Sequence, residues 1–444
     1  MHLKDIRLRV RQSAADSFGA LAGSRRSRHN NRAGRESRVK KPRIIDGVFV
    51  FGEPDADTLA QIKRCAAPKE AAGAVLCADA HKGYSMPIGG VVAYDGLTSP
   101  SGVGFDIGCG NKAVRTNLKV DDIRADLPAL MDEIYDKISF GIGRKNPRPI
   151  DHPVFDDERW KVHPGVAALK ELARQQLGTV GGGNHYVNLM EDVATGDLWV
   201  AVHFGSRGFG YKTAAGFLNL AAGRPFDAPP PGESMDAPPV LLRLDSELGR
   251  AYHEAMKLAG AYAYAGRDVV VDEVLKILGA KATFTVHNHH NFAWEEEHGG
   301  RKLIVVRKGA TPCWPGQLSF VGGSMGDISV VIRGKDTKTS HKALYSAMHG
   351  AGRVMSRTQA AGKWKRVRGK RVRVGGLVDM DEVQKQLKRM GIELRGGGPD
   401  EAPAVYRKLQ EVLDAHADTI EVVHVLKPVG VAMASPDEYD PYKD

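Results

Sequence analysis

The amino-acid sequence predicts a mixed α/β protein with one large folded domain over residues 44–444. The chain has 444 residues, of which 42% are hydrophobic and 26% charged, a composition typical of globular proteins. Short β-branched and aromatic runs alternate with glycine-rich turns between residues 44 and 117, which indicates a sheet with functional loops. Apolar residues recur at helical spacing in several later segments, so helices are expected in the same domain.

Residues 1–43 differ in composition from the rest of the chain. They contain 13 Lys and Arg residues and three acidic residues, and this excess equals the net charge of +10 of the whole chain. Residues 44–444 are therefore balanced in charge. Because residues 24–43 lack apolar periodicity, we expect a mobile, solvated arm. A basic arm suits a polyanionic partner, and a disordered tail without a partner is the alternative.

The hydrophobic pattern gives the expected order of strands and helices. Ordered structure is expected from Ile44, where IIDGVFVF has the composition of a strand. Further strands are expected at residues 198–202, 283–286 and 303–306. Helices are expected at residues 121–138, 166–176, 241–260 and 271–278.

Two further segments have a distinctive composition. The proline-rich residues 225–239 predict an exposed loop. The run KWKRVRGKRVR, residues 363–373, alternates valine with Lys and Arg as an exposed hairpin does. Contact with nucleic acid and a solvated face without a partner are both open for this hairpin.

Several protein classes are disfavoured by the sequence. No segment approaches the roughly 18 consecutive apolar residues of a membrane helix, and the first residues are charged where a signal peptide needs an apolar core. We therefore expect a cytoplasmic protein with no membrane partner. The four cysteines lack CxxC spacing, so neither a disulfide framework nor a zinc finger is indicated.

Polar residues set among glycines form six segments, which read ADAHKGY, GVGFDIGCGNK, GTVGGGNHYVN, VHFGSRGFGY, TVHNHHNFAW and SAMHGAGRVMSR. Glycine permits tight turns that hold side chains and amides around a ligand. Asp106 and Cys109 stand three residues apart, and with three strand-end histidines they would give the O, S and N donors of a dinuclear metal site. Each histidine alone is more often structural. Zinc, manganese and iron all remain open on these donors.

The segment HGAGR predicts a nucleophile beside anion-binding side chains. Imidazole attacks phosphorus covalently, and His349 stands on a glycine-rich loop. Arg353 and Arg357 are four residues apart, so we expect them to share one helix face and to bind phosphate in bidentate fashion. The segments RKGATP and GGSMGDIS are weaker signals of a phosphate-binding loop.

Eight of these motifs, in order, resemble the RtcB family of RNA-splicing and RNA-repair ligases. They are DAHKGY, GVGFDIGCGN, GGGNHY, GSRGFG, HHNF, RKGA, GSMG and HGAGRVMSR, and the match runs from about Asp79 to Val431. The resemblance implies the family's own α/β fold around a central dinuclear metal cleft. It also implies joining of a 5′-hydroxyl RNA end to a 3′-phosphate or 2′,3′-cyclic phosphate, with GTP and two manganese ions. RNA with these ends, and an accessory activator protein, are the implied partners.

The resemblance also implies a role for individual residues. The implied manganese ligands are Asp106, Cys109, His185, His203 and His290, with Cys109 bridging the two ions. His349 is the residue implied to be guanylated, and Asp79 is implied to help the later chemistry. The implied guanylate pocket is Asn184, Asn188, Ser324, Met325, Gly350, Ala351, Gly352, Arg353 and Tyr406. Arg207, Lys308 and Arg357, with Arg353, match cationic positions near RNA or nucleotide phosphates.

Two positions depart from the family pattern, and both belong to its recognition of guanine. Asn188 stands where the family usually has glutamate, and Met433 stands where it usually has lysine. Asparagine keeps hydrogen-bonding capacity without charge, whereas methionine offers no donor. An active ligase with altered base recognition is the favoured hypothesis. A non-ligating protein that binds RNA ends and a metal-dependent cyclic phosphodiesterase are the alternatives.

Overall fold

A computed structural model describes residues 41–232, 234–367 and 370–436. Residues 1–40 of the predicted basic arm lie outside the described residues. The described strands are β1 (Arg43–Ile45), β2 (Val48–Val50), β3 (Ala71–His81), β4 (Ile88–Tyr94), β5 (Leu97–Thr98), β6 (Gly110–Lys119), β7 (Tyr186–Asp192), β8 (Asp197–Phe204), β9 (Leu242–Arg243), β10 (Ala282–His289), β11 (Asn291–His298), β12 (Arg301–Lys308), β13 (Ala310–Pro312), β14 (Leu318–Val321), β15 (Ser329–Gly334), β16 (Ser346–Met348), β17 (Lys363–Val367), β18 (Lys370–Val374), β19 (Glu393–Arg395) and β20 (Ile420–Met433).

Helices are interspersed with these strands. They are α1 (Ala56–Cys65), α2 (Pro100–Val103), α3 (Val120–Ile123), α4 (Leu127–Lys137), α5 (Pro164–Ala167), α6 (Lys170–Gln176), α7 (Arg207–Ala221), α8 (Glu247–Leu278), α9 (Lys338–Lys342), α10 (Arg357–Ala361), α11 (Met380–Arg389) and α12 (Leu409–Ala415). Short 3-10 turns occur at Pro153–Asp156, Glu158–Lys161, Pro399–Glu401 and Pro403–Val405. The prediction of a mixed α/β protein is confirmed.

Two large sheets organise the described residues. One has the strand order β1-β2-β3-β4-β12-β11, and the other has the order β10-β6-β8-β7-β20-β15-β14 with β19 beside β20. In the second sheet, antiparallel pairing sets His289 opposite Gly110, Asn111 opposite His203, and His203 opposite Tyr186. The starts of β6 and β7 therefore meet the ends of β8 and β10 at one edge.

The 32-residue helix α8 contributes to the hydrophobic cores of both sheets. Tyr252 and Met256 pack in a core with β3, β4 and β12, whereas Val270 and Val274 pack in a core with β6, β7 and β8. Two separate helices were expected here, at residues 241–260 and 271–278, and that prediction is wrong. Residues 261–270 lack an apolar stripe because most of them are buried on all sides of the helix.

Two other predicted elements divide where the backbone must turn. IIDGVFVF, expected as one strand, is the hairpin β1–β2, with the positive φ angles of Asp46 (48°) and Gly47 (84°) at its turn. The helix expected at residues 121–138 is divided into α3 and α4. Pro128 stands at the start of α4, where its fixed φ and missing N–H are tolerated.

The proline-rich residues 225–239 contain no helix or strand at their described positions, and most are exposed. The basic run forms β17 and β18, which pair antiparallel from Lys363 opposite Val374 to Val367 opposite Lys370. The helices in the described ranges include none with both the length and the apolar character needed to cross a membrane.

Candidate active site

A cavity of about 600 Å³ opens at the edge where the metal-ligand candidates meet. The residues selected from the sequence that line it are Asp106, Cys109, Asn184, Asn188, His203, His290, Lys308, Ser324, Met325, His349, Gly350, Ala351, Gly352, Arg353, Arg357, Tyr406 and Met433. Asp79, His185 and Arg207 are not part of this lining, but each contacts a site residue.

Asp106 and Cys109 lie on a tight turn that leads into β6. The Cys109 N–H donates to the Asp106 carbonyl at 3.1 Å, which closes the turn. Gly205 faces Asp106 at the end of β8, and any Cβ there would overlap the carboxylate. Glycine at this position is thus required for the carboxylate to approach Cys109 and the histidines.

His185 and His203 bring ring nitrogens to the same thiol. Their Nε2 atoms lie 3.7 Å and 3.6 Å from Cys109 Sγ, and His185 Nε2 is also 3.0 Å from Asp106 Oδ2. On the far side of His203, Nδ1 donates to Asn111 Oδ1 at 2.8 Å. This bond fixes the tautomer that leaves Nε2 free to bind a cation.

His290 directly follows β10 and lies beside this group. Its backbone N–H donates to the Cys109 carbonyl at 2.8 Å, and its ring stacks on His203 with centroids 5.1 Å apart. The buried Nδ1 of His290 has no protein partner in the described structure. Burial lowers the pKa of both His203 and His290 well below the ordinary range, so both rings are neutral and have lone pairs.

These donors fit a metal cation. The ligand atoms of Cys109, His185 and His203 lie within 4.8 Å of one another. Burial acts to raise the pKa of Asp106, but the adjacent His185 and Arg207 hold that pKa far below its usual value. Burial, followed by Asp106, raises the pKa of the Cys109 thiol, and coordination to a cation would remove its proton. A mixed O, N and S set suits a transition metal.

Beneath this group lies Arg267 of α8, which the sequence predictions missed. Its guanidinium donates to the carbonyls of Gly108 at 2.9 Å and Phe204 at 2.6 Å, each adjacent to a donor residue. It also contacts ring nitrogens of His287 at 2.9 Å and His289 at 3.0 Å. Arg267 therefore ties together the backbone segments that hold Cys109, His203 and His290. The feature of the sequence that could have identified Arg267 is an arginine set among the apolar residues of this helix.

His349 faces the same group from the loop after β16. The centroid of its ring lies 4.8 Å from that of His290, and its Nδ1 is 2.7 Å from Asp79 Oδ2. The same carboxylate oxygen accepts the backbone N–H groups of His349 at 3.0 Å and Gly350 at 3.2 Å. Asp79 thus fixes both the loop and the ring, and leaves His349 Nε2 free for chemistry.

The protonation of Asp79 is set by these contacts. Its side chain is fully buried, which acts to raise its pKa, but His349 holds the pKa below the ordinary value. The carboxylate is therefore ionised at neutral pH and stabilises positive charge that develops on the imidazole.

Comparison with known proteins shows the family of this chain. Residues 61–434 match the family model described as tRNA-splicing ligase RtcB. The tRNA-splicing ligase RtcB of Thermococcus kodakarensis is 30% identical, over 81% of this chain and 87% of its own length. The tRNA-splicing ligase RtcB of Archaeoglobus fulgidus is 30% identical over 80% and 86%, and the RNA-splicing ligase RtcB of Escherichia coli is 29% identical over 79% and 87%.

This chain belongs to the RtcB family. The resemblance found from motifs between Asp79 and Val431 is thereby confirmed, and the matched region covers the cavity and its buried supports. It ends just past Met433 and so includes both departures from the family pattern.

One expectation about the RtcB motif HGAGRVMSR is wrong. Arg353 and Arg357 do not share a helix face, because Ser356 caps α10 and the helix begins only at Arg357. Arg353 lies in extended chain paired with Tyr406 and donates to its hydroxyl at 3.0 Å. Arg357 pairs with the buried carboxylates of Asp400 and Glu401. These contacts neutralise much of the positive charge expected for phosphate binding.

The other two cationic candidates are also engaged with the protein. Lys308 lines the cavity and its Nζ donates to the Tyr84 carbonyl at 2.6 Å. Arg207 lies behind His185, with Nη1 3.0 Å from His185 Nδ1. A Cβ on Gly181 would overlap the Arg207 guanidinium, which explains a glycine there within the RtcB motif.

Strands β7 and β20 form one wall of the cavity. Asn188 and Met433, the two residues that depart from the family pattern, both lie on this wall. Tyr186 and Asn188 on β7 are opposite Met433 and Val431 on β20, and all four line the cavity. The buried Tyr186 hydroxyl and Asn188 Oδ1 have no partner among the described residues. A flat ligand with its own donors and acceptors would suit this wall.

Proposed function

We propose that this RtcB family member is an RNA ligase that joins a 3′-phosphate or 2′,3′-cyclic phosphate end to a 5′-hydroxyl end through a guanylated His349. The observation that carries the proposal is the Asp79–His349 pair beside the Cys109–His185–His203 group. A nucleophile oriented by a buried carboxylate and placed next to a cation site is the arrangement that nucleotidyl transfer requires. A cytoplasmic role in tRNA splicing or RNA repair, aided by an accessory protein, belongs to the same proposal.

The residues that would hold two manganese ions are Asp106, Cys109, His185, His203 and His290. When bound, the ions would supply Lewis-acid stabilisation of charge on the transferring phosphates. The neutral rings of His203 and His290 and the ionised Asp106 support this ligand set.

The first step uses the free face of His349. Nε2 attacks the α-phosphorus of GTP and forms a phosphorus–nitrogen bond. The bond between the α-phosphorus and the oxygen that bridges it to the β-phosphate breaks, and pyrophosphate leaves with that oxygen. Asp79, which holds Nδ1 at 2.7 Å, stabilises the positive charge on the ring.

The later steps transfer the guanylate and seal the RNA. Water first opens a cyclic phosphate to a 3′-phosphate. An oxygen of the 3′-phosphate then attacks the guanylate phosphorus and breaks its bond to His349. Finally, the RNA 5′-hydroxyl attacks the activated 3′-phosphorus and loses its proton to solvent, and GMP leaves with the electrons of the broken anhydride bond.

We expect base recognition to be relaxed toward both purines. The Asn188 amide both donates and accepts, so it can pair with the Watson–Crick edge of guanine or of adenine, and Met433 adds no polar preference. Wild-type protein is expected to take label from α-labelled GTP and ATP within about tenfold of each other. Asn188→Glu should favour GTP by about ten- to a hundredfold, because a carboxylate only accepts hydrogen bonds.

Initial labelling rates with the four nucleoside triphosphates measure this preference. Asn184→Asp tests an adjacent lining residue for comparison. An unchanged ratio of GTP to ATP labelling in Asn188→Glu would show that Asn188 does not contact the base.

Product analysis tests the proposed function as a whole. Full-length protein is incubated with manganese, GTP, a cyclic-phosphate RNA and a 5′-hydroxyl RNA. The proposal predicts joined RNA that depends on nucleotide. Opened 3′-phosphate RNA without joining, with or without nucleotide, would indicate the phosphodiesterase instead. Binding without any product would indicate the protein that only binds RNA ends.

A further inference from the structure

The ribbon β17–β18 is unusually basic for a chain whose residues 44–444 are balanced in charge. Seven of residues 363–373 are Lys or Arg and none is acidic. Within the described part of the chain, these two strands pair with each other and with no third strand. In that part of the chain the ribbon is therefore not an edge of either main sheet.

Side chains on β17 have the properties of an anion-binding surface. Lys363, Lys365 and Arg366 are exposed, and none of them has an ion pair among the described residues. Other exposed basic residues of this protein do have acidic partners, as Lys161 does with Glu158 and Arg389 with Glu382. Unneutralised charges of one sign in a small area favour a polyanion.

The ribbon is attached to the rim of the cavity. It begins two residues after α10, whose first residue, Arg357, lines the cavity. Arg373 of the ribbon donates to the Pro436 carbonyl at 3.4 Å, and its Nη1 lies 3.9 Å from Asp400 Oδ1. Asp400 is also the partner of Arg357 at 2.9 Å, so one carboxylate links the ribbon to the cavity wall.

An aromatic contact joins the two strands of the ribbon near the end where it leaves α10. The Arg373 guanidinium lies 4.8 Å from the centre of the Trp364 ring, across the strand pair where Trp364 is opposite Arg373. A cation–π contact of this kind stiffens the ribbon near the cavity. The exposed Lys365 and Arg366 directly follow Trp364 on the same strand.

We infer that this ribbon binds the sugar-phosphate backbone of the RNA strand whose end enters the cavity. The inference rests on the proposed function, since it assumes that an RNA end reacts at His349. Phosphate contacts fix the register of a strand without reading its sequence, which suits an enzyme that must accept RNA ends of varied sequence. The ribbon would hold the body of the strand while the cavity holds its terminal phosphate.

The test compares two triple variants of the full chain. Lys363→Ser, Lys365→Ser and Arg366→Ser remove the ribbon charges, and Lys137→Ser, Lys276→Ser and Lys281→Ser remove three exposed charges that do not line the cavity. Binding of a labelled 20-nucleotide single-stranded RNA with a 3′-phosphate is measured over a range of salt concentrations. The ribbon variant should lose about ten- to a hundredfold in affinity, and its slope of log affinity against log salt should decrease by about 2.

Labelling by GTP separates this inference from the proposed function. The ribbon variant should acquire nucleotide label like the wild type, because RNA is not needed for that step, and this also shows that the variant is folded. If the ribbon variant has the RNA affinity and salt slope of the wild type, the inference is wrong. Wild-type labelling of the same variant would still leave the ligase proposal standing. An equal loss in the control variant would also overturn the inference. Absence of label from the wild type would refute the ligase proposal alone, since RNA binding is measured without nucleotide.

Discussion

Replacement of His349 with glutamine is expected to abolish nucleotide labelling and to reduce RNA joining by at least about 10³-fold. Glutamine retains polar atoms but cannot form the phosphoramidate, so the chemical step has no substitute nucleophile. The measurement is labelling with α-labelled GTP and manganese, followed by assay of joined RNA. Metal binding should be kept, because the clustered ligand atoms belong to Cys109, His185 and His203, and His349 Nδ1 contacts Asp79 at 2.7 Å.

Two variants serve as comparisons for this result. Asp79→Asn should retain the nucleophile but lose the charge that stabilises the ring, with labelling reduced by about 10²-fold or more. His341→Gln alters an exposed histidine that pairs with Asp336 and should leave labelling at the wild-type rate. Full labelling of His349→Gln would mean that another side chain carries the nucleotide, and the proposed mechanism would be wrong.

Replacement of Arg267 with methionine is expected to weaken both the fold and the metal site. The change removes the guanidinium donor from the buried carbonyls of Gly108 and Phe204, of which Gly108 keeps only the contact with His289 Nδ1 at 2.9 Å, and a buried group left unsatisfied costs about 1–3 kcal/mol. We therefore expect the free energy of unfolding to fall by at least about 3 kcal/mol. Since the same bonds orient the donor segments, manganese affinity should fall by about ten- to a hundredfold.

Thermal unfolding and calorimetric metal titration measure these two effects separately. Arg267→Lys keeps a charge and one donor, and should recover part of the stability but less of the metal affinity, because lysine cannot reach all four acceptors at once. Arg250→Met, on the exposed side of the same helix, should change stability by less than about 0.5 kcal/mol. Wild-type manganese affinity in a folded Arg267→Met protein would show that Arg267 does not position the ligands.

The sequence was most informative where chemistry requires particular residues next to glycine. The loops around Asp106 and His349 could be recognised because a short segment contains both the reactive side chain and the glycines that let the backbone turn. The edge that brings His203 beside Cys109 could not be read in the same way. It depends on the register of β6 with β8, which is set by the packing of strands that are distant in sequence.

Other features were missed because burial removed the pattern on which prediction relies. α8 is covered on several sides near Arg267, so no polar stripe marks that part as helical. Arg353 and Arg357 have helical spacing, but the cap at Ser356 starts the helix only after Arg353. Asn111 stands two residues after Cys109, yet nothing local to its sequence indicates that it would orient His203 across the sheet.

The three donors of the Cys109–His185–His203 group are 94 residues apart at most, and they lie on or directly before β6, β7 and β8, so the edge that aligns them requires these three strands together. During synthesis on the ribosome, the N-terminal strands of this edge would emerge long before the last ligand. The group consequently cannot form on a nascent chain until β8 has left the exit tunnel and paired with β6 and β7. A cation that needs all three donors would therefore be bound only after these strands have paired, and until then Cys109 would lack both histidine partners.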